Sequence, residues 1–224
     1  MKLAALITLA SACLSQAYIP GFDISNHQGS VDFAAAKSDG ARFVMIKATE
    51  GTYFIDSWFD SHYTGATNVG LIRGGYHFAI PNGASGATQA NYFLQHGGGW
   101  SGDGRTLPGM VDLEYNPYGA TCYGLSASAM VDWIRDFSDT YKGKTGRYPM
   151  IYTTADWWSQ CTGNSGEFGS TNPLVLANWG SSPGTIPGSW PFESFWQYNN
   201  HYKYGGDSDY WNGSEENLKK FATS

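Results

Sequence analysis

The chain has 224 residues, enough for one large domain or two small ones, and carries 13 Lys+Arg against 19 Asp+Glu for a net charge of −6. No basic run or stripe is present, which argues against binding along a nucleic-acid backbone. With 42% hydrophobic and 14% charged residues the composition excludes intrinsic disorder, which needs the opposite balance.

The first predicted element is a targeting segment. Lys2 supplies a positive charge, residues 3–14 are apolar apart from Thr8, Ser11 and Cys13, and Ser15 and Ala17 place small residues at the two positions a signal peptidase reads. The apolar run is too short to span a bilayer, so residues 1–17 read as a cleaved secretory signal and residues 18–224 as the mature, extracellular chain. No later stretch stays apolar long enough for a membrane anchor. Of the three cysteines, Cys13 leaves with the signal; Cys122 and Cys161 remain as an even pair in an oxidising route, which predicts a disulfide.

Along the mature chain, runs of β-forming residues occupy 21–25, 43–49, 71–80, 109–115, 148–154, 174–179 and 192–199. Helical patterns lie between the early ones. Residues 31–37 are alanine-rich. Residues 57–69 space Trp58, Phe59, His62, Tyr63 and Ala66 along one face, and residues 85–95 do the same with Ala87, Ala90, Tyr92, Phe93 and Leu94. The clearest helix spans 126–141, with Ser126 or Ser128 as cap and Met130, Trp133, Ile134, Phe137 and Tyr141 as its apolar stripe. A short helix at 215–221 closes the chain.

Alternating strands and helices predict an α/β fold with a parallel sheet. Four βα units followed by strands with weak or absent helices predict a single-domain, modified TIM-type (β/α) barrel, degenerate in its second half. An open doubly wound sheet is the rival, disfavoured because no G-x-G-x-x-G follows the first strand. No linker, repeat or low-complexity tract divides residues 18–224.

In such a barrel the chemistry collects at the C-terminal ends of the strands. There the sequence places Asp23, Lys47 to Gly51 with Glu50, Tyr76-His77-Phe78, Asp112-Leu113-Glu114, Tyr152, Trp179, Trp196-Gln197-Tyr198, and finally Asp207 and Asp209. Carboxylates at a barrel mouth are costly unless paired or used. Asp112 and Glu114, two apart on a strand, face one side with Cα atoms about 6.5–7 Å apart. That lies within reach of a glycosidase carboxylate pair, and close carboxylates push their acidities apart so that one stays protonated. Tyr76, Phe78, Tyr152, Trp179, Gln197 and Tyr198 are the candidate substrate contacts, the aromatic ones by covering the apolar face of a pyranose. His27, His62, His77, His96 and His201 are scattered and form no metal-ligand motif, so no metal and no cofactor is expected. Asn212-Gly213-Ser214 is a glycosylation sequon inside the last strand-end motif.

Five segments in order carry a family resemblance: Gly21-Phe22-Asp23-Ile24-Ser25, Ile46-Lys47-Ala48-Thr49-Glu50-Gly51, Gly75-Tyr76-His77-Phe78, Val111-Asp112-Leu113-Glu114, and Asp207-x-Asp209-x-Trp211-Asn212-Gly213. Together they resemble glycoside hydrolase family 25, the N,O-diacetylmuramidase type of lysozyme. The resemblance covers residues 18–213. It implies a modified barrel of eight strands and fewer than eight helices. It also implies hydrolysis of the β-1,4 bond between N-acetylmuramic acid and N-acetylglucosamine in bacterial peptidoglycan. By motif it makes Glu114 the general acid, Asp112 its partner, Asp23 and Asp207 further carboxylates of the site, and Glu50 a catalytic or structural glutamate. The final motif departs from the family, which usually has Asn where this chain has Asp209. The Cys122–Cys161 pair looks like that of the family's fungal branch. The expected partner is peptidoglycan, met by a monomer without nucleic acid or membrane. The alternatives are a chitinase-like glycosidase, for which only the Asp112 and Glu114 part of the longer run is present, and a glycan-binding barrel without hydrolysis, against which the intact Glu114 speaks.

Overall fold

The computed structural model describes Tyr18–Ser224; the secretory-signal reading falls on residues 1–17, outside the described residues. Eight strands close into one barrel: β1 (Tyr18–Ile24), β2 (Phe43–Glu50), β4 (Ile72–Phe78), β5 (Met110–Asp112), β6 (Met150–Thr153), β7 (Leu174–Ala177), β8 (Phe195–Asn199) and β9 (Asp207–Asn212), while β3 (Phe54–Ile55) makes a small hairpin on the end of β2. Six helices are described: α1 (Phe33–Ser38), α2 (Phe59–Asn68), α3 (Gly86–Gln95), α4 (Ala127–Thr145), α5 (Ala155–Thr162) and α6 (Glu215–Phe221). The expected barrel with fewer helices than strands is therefore the fold observed.

Two features correct the sequence reading. The sheet is mixed: β9 runs antiparallel to both β8 and β1, and only the remaining neighbours around the barrel are parallel. The physical reason is connection length. Residues 200–206 are too few for a crossover, which takes a dozen or more, so the chain turns back as a hairpin. Gly206, at φ 80°, lets the returning strand start against β1; a Cβ there would meet the Asp23 carbonyl oxygen at 1.8 Å. The second correction is α5, a helix of eight residues in a stretch expected to have little or none. The Thr154 hydroxyl caps it by accepting from Trp157 N–H, and Trp157, Trp158 and Cys161 bury its inner face.

The alternation of each strand sorts side chains between two compartments. On β2, Val44, Ile46 and Ala48 point outward into the layer between barrel and helices, where α4 contributes Met130, Trp133, Ile134, Phe137 and Tyr141. Phe43 and Met45 point inward with Met110, Met150, Val175, Phe195 and Trp211. Gly21 is bare because the Phe43 ring occupies the space of its Cβ, 2.5 Å away. Helix α6 seals the barrel floor through Leu218 and Phe221, the latter ring against Phe195 and Trp211. The inward positions then turn polar towards the mouth: Lys47 follows Met45, Asp112 follows Met110, Tyr152 follows Met150 and Gln197 follows Phe195. Reversed β9 supplies Asp207 and Asp209 before Trp211.

Cys122 and Cys161 are bonded with Cα atoms 5.2 Å apart. The bridge fastens the β5–α4 loop to α5 and, over a separation of 39 residues, is worth roughly 4 kcal/mol in the chain-entropy model. The sequon is built into the fold: Asn212 Nδ2 donates to the Glu193 carbonyl and carboxylate, and the Ser214 hydroxyl caps α6.

Candidate active site

The barrel mouth brings together residues from every part of the chain. Asp23, last but one in β1, lies opposite Asp207, the first residue of β9. Gln197, from β8, joins them: its Nε2 donates to Asp23 Oδ2 at 2.8 Å and to Asp207 Oδ2 at 3.3 Å. Its Oε1 accepts from the Tyr152 hydroxyl and the Trp179 indole, both at 3.0 Å. Gln197 thus spends its whole hydrogen-bonding capacity on four candidate residues.

Strand β5 ends at Asp112, and Glu114 lies two residues past its end. The Leu113 N–H still bonds to the Tyr152 carbonyl, and its side chain packs in the outer core. The alternation therefore continues past the strand, and Asp112 and Glu114 share the inner side as expected. Asp112 is buried, and its Oδ1 receives no hydrogen bond among the described residues.

Electrostatics set these acids apart. Burial holds the Glu114 carboxyl up at about 7, with Asp207 pushing the same way and the Lys47 ammonium opposing. Asp23 also sits at about 7, through burial and the neighbouring Asp207 charge, opposed by its bond from Gln197. Asp112 is raised well above the carboxylate range by burial and by Glu114. Burial raises Asp207 as well. Carboxylates crowded in a low-dielectric mouth cannot all ionise, so protons are retained near neutrality.

Glu50 behaves differently. It accepts from Lys47 Nζ at 2.7 Å, from the Tyr53 hydroxyl at 2.9 Å and from the Tyr118 hydroxyl, and these donors and the Lys47 charge outweigh burial and lower its pKa. Lys47 also stands 4.9 Å over the Phe78 ring, which supports the cation.

The other predicted contacts divide. Tyr76 lies at the mouth, its hydroxyl kept protonated by burial and by Asp23, Asp112 and Glu114. Trp179 is 60% exposed on one wall of a cleft of about 530 Å³. Tyr198 does not join them: it faces the outside of the barrel, stacked at 4.2 Å on Tyr210. His77 is fully buried in the outer core, bonded to Thr49 and Gln89, and burial drops it to about 4, a neutral packing residue. The cleft is lined by Glu114, Tyr115, Tyr152, Ala177, Asn178 and Trp179 together with Thr154, Ala155 and Asp156 at the start of α5. Tyr115 donates to Asp156 at 2.8 Å across it. Asp156 and Asn178 are site residues that strand-end reasoning left out, and Lys47 and Tyr115, which it placed at strand ends, were given no role there. The parity of β2 gave a usable signal for Lys47, a cation at the third inward position after Phe43 and Met45.

Rings along such a cleft suit the apolar faces of pyranoses, and an acid kept protonated beside further carboxylates suits cleavage of a glycosidic bond. The class this defines is a barrel glycoside hydrolase. Residues 22–207 match the family described as Glycosyl hydrolases family 25, and the chain belongs to that family. It is 62% identical over 204 residues to an N,O-diacetylmuramidase of Arthroderma benhamiae, covering 91% of this chain and 86% of that protein. It is 59% identical to the N,O-diacetylmuramidase of a Chalaropsis species, covering 92% and 99%. Among solved structures, a family GH25 lysozyme from Aspergillus fumigatus superposes with a TM-score of 0.92 at 63% identity, covering 93% and 100%.

Proposed function

We propose that this chain is a secreted muramidase that hydrolyses the β-1,4 bond between N-acetylmuramic acid and N-acetylglucosamine in bacterial peptidoglycan, with Glu114 as general acid. The observation that carries the reading is Glu114 at the edge of the cleft with its carboxyl held at about 7, so that it keeps a proton to deliver near neutrality. The names of the relatives support the substrate. The segment at residues 1–17 supports export, and no helix among the described residues is long and apolar enough to cross a membrane.

In the proposed reaction Glu114 gives its proton to the leaving glycosidic oxygen while the substrate's own 2-acetamido oxygen attacks the anomeric carbon. The resulting oxazolinium carries its charge at the acetamido nitrogen. Asp112, with an oxygen that receives no hydrogen bond among the described residues, accepts from that N–H and, in its ionised form, offsets the charge. Water then opens the ring, Glu114 takes back a proton, and the anomeric configuration is retained. Asp23 and Asp207, held by Gln197, flank the reacting sugar, and Trp179 and Tyr152 contact its neighbours.

Lysis of a bacterial cell-wall suspension beside a chitin control tests the substrate. Turnover of chitin alone, or binding without turnover, would replace the reading by one of its alternatives. A slow fluorinated muramyl substrate tests the mechanism: no adduct, with tight inhibition by a thiazoline mimic, is expected, and an adduct on Asp112 or Asp207 in the mass spectrum refutes the substrate-assisted route.

A further inference from the structure

Asp209 lies on the inward side of β9, one inward step deeper than Asp207 and fully buried. Neither of its oxygens finds an N–H or O–H donor among the described residues. The one amide at hand, on its register partner Gln197, is already committed to Asp23 and Asp207. Across the β1–β9 ladder the diagonal neighbour of Asp209 on the inward side is Asp23, whose register partner is Asp207, and the Asp23 and Asp209 carboxyls are close enough to act on one another. Two carboxylates so placed repel each other, whereas one carboxylate and one carboxylic acid share a strong hydrogen bond.

We propose that Asp209 is a positioning residue that permanently holds a proton and donates it as a hydrogen bond to Asp23, so that the buried pair carries one proton and one charge. The asymmetry of the surroundings decides which partner keeps the proton. Asp23 has a second donor in Gln197 and is partly open at the mouth; Asp209 has neither. Burial, then the Asp23 charge and the bond to Asp23, then Asp207, all raise Asp209 well above the carboxylate range. Held between Gln197 and Asp209, the Asp23 carboxylate is fixed in orientation. This inference rests on the assignment of Asp23 to the reacting centre.

The remaining charged and titratable groups at the mouth are Asp207 on β9, Lys47 and Glu50 on β2, Tyr76 on β4, Asp112 and Glu114 at β5, and Tyr152 on β6. They are common to wild type and variants, so a difference between the two isolates Asp209. In the unfolded chain Asp209 loses its proton near about pH 4. The native chain keeps it to much higher pH, so native stability falls as pH rises across that window, and Asp209→Asn has no such proton to lose.

The test is thermal unfolding of the mature protein and its D209N variant from about pH 4 to about pH 8, with steady-state kinetics of D209N and D209A. The expected result is a melting-temperature gap in favour of D209N that widens steadily as pH rises. A gap independent of pH would overturn the retained proton. In kinetics, D209A should lose about tenfold in kcat with little change in KM, as loss of a hydrogen bond to a charged group predicts. D209N, whose amide still donates, should recover most of it. Full activity in D209A would overturn the positioning of Asp23. A loss in D209N as deep as in D209A would show that the proton itself is transferred, which also overturns it. If wild-type protein lyses no wall material, the functional reading fails, while the unfolding experiment still reports the proton on Asp209.

Discussion

Two groups of acids share the rim of this barrel and live under opposite rules. Glu50 collects three donors, the Lys47 ammonium and the Tyr53 and Tyr118 hydroxyls, and is the more easily ionised for it. Across the mouth, Asp23, Asp112, Glu114 and Asp207 have few donors and one another for neighbours, and all are raised. The lesson is that the donor count separates a fastening acid from the acids proposed to react. Glu50 ties the β2–α2 loop, through Tyr53, to the β5–α4 loop, through Tyr118. The other acids are left short of donors where a substrate can supply them.

The largest effect that would break this contrast is in Glu114→Gln. Gln keeps the shape and loses the proton, so wall lysis should fall by about 10²–10⁴-fold while the protein stays folded. A folded variant with more than about a tenth of the wild-type rate removes Glu114 from the role.

The pH profile sharpens the same point. With Glu114 at about 7, the acid form is lost above neutrality, and kcat should drop about tenfold per pH unit on the alkaline side. Stability follows the same proton. The native value lies above the unfolded value of about 4.3, so the contribution is complete below that pH and is lost as pH rises through about 7. Chemical denaturation at stepped pH should therefore find wild-type stability declining across this window more than that of E114Q; equal slopes would place the proton elsewhere.

The smallest effect expected is at Glu50. Glu50→Gln removes the charge that pairs with Lys47 and weakens both tyrosine bonds, so kcat should change only a few-fold while the two loops loosen. Hydrogen exchange in residues 52–58 and 115–121 reads the loosening. A loss in E50Q as deep as that of E114Q would move Glu50 into the reacting group.

Much of this was legible in the chain. The stripe of α4 and the i, i+2 spacing of Asp112 and Glu114 are local patterns, and both survive folding, even though β5 itself stops at Asp112. What was not legible depended on distance in sequence. Tyr53 and Tyr118 meet Glu50 through hydroxyls at the tips of exposed rings, and no periodicity announces such a meeting. Tyr198 reads as a strand-end aromatic, but its neighbour Gln197 takes the inward position, so Tyr198 must face out. The direction of β9 was written in the short 200–206 connection, and α5 was hidden because eight residues are too few to display a helical period.

The pairing of β1 with β9 joins nearly the two ends of the described chain, Tyr18 opposite Asn212 and Asp23 opposite Asp207. Such a contact closes a very long loop and forms late in folding. The acids that flank the proposed reaction are therefore assembled by the last closure of the barrel, after the helices and the parallel strands have somewhere to stand. In refolding, helical circular dichroism should return before lytic activity. A half-folded chain would then carry every residue of the site and none of its chemistry, so that hydrolysis is timed by the fold itself.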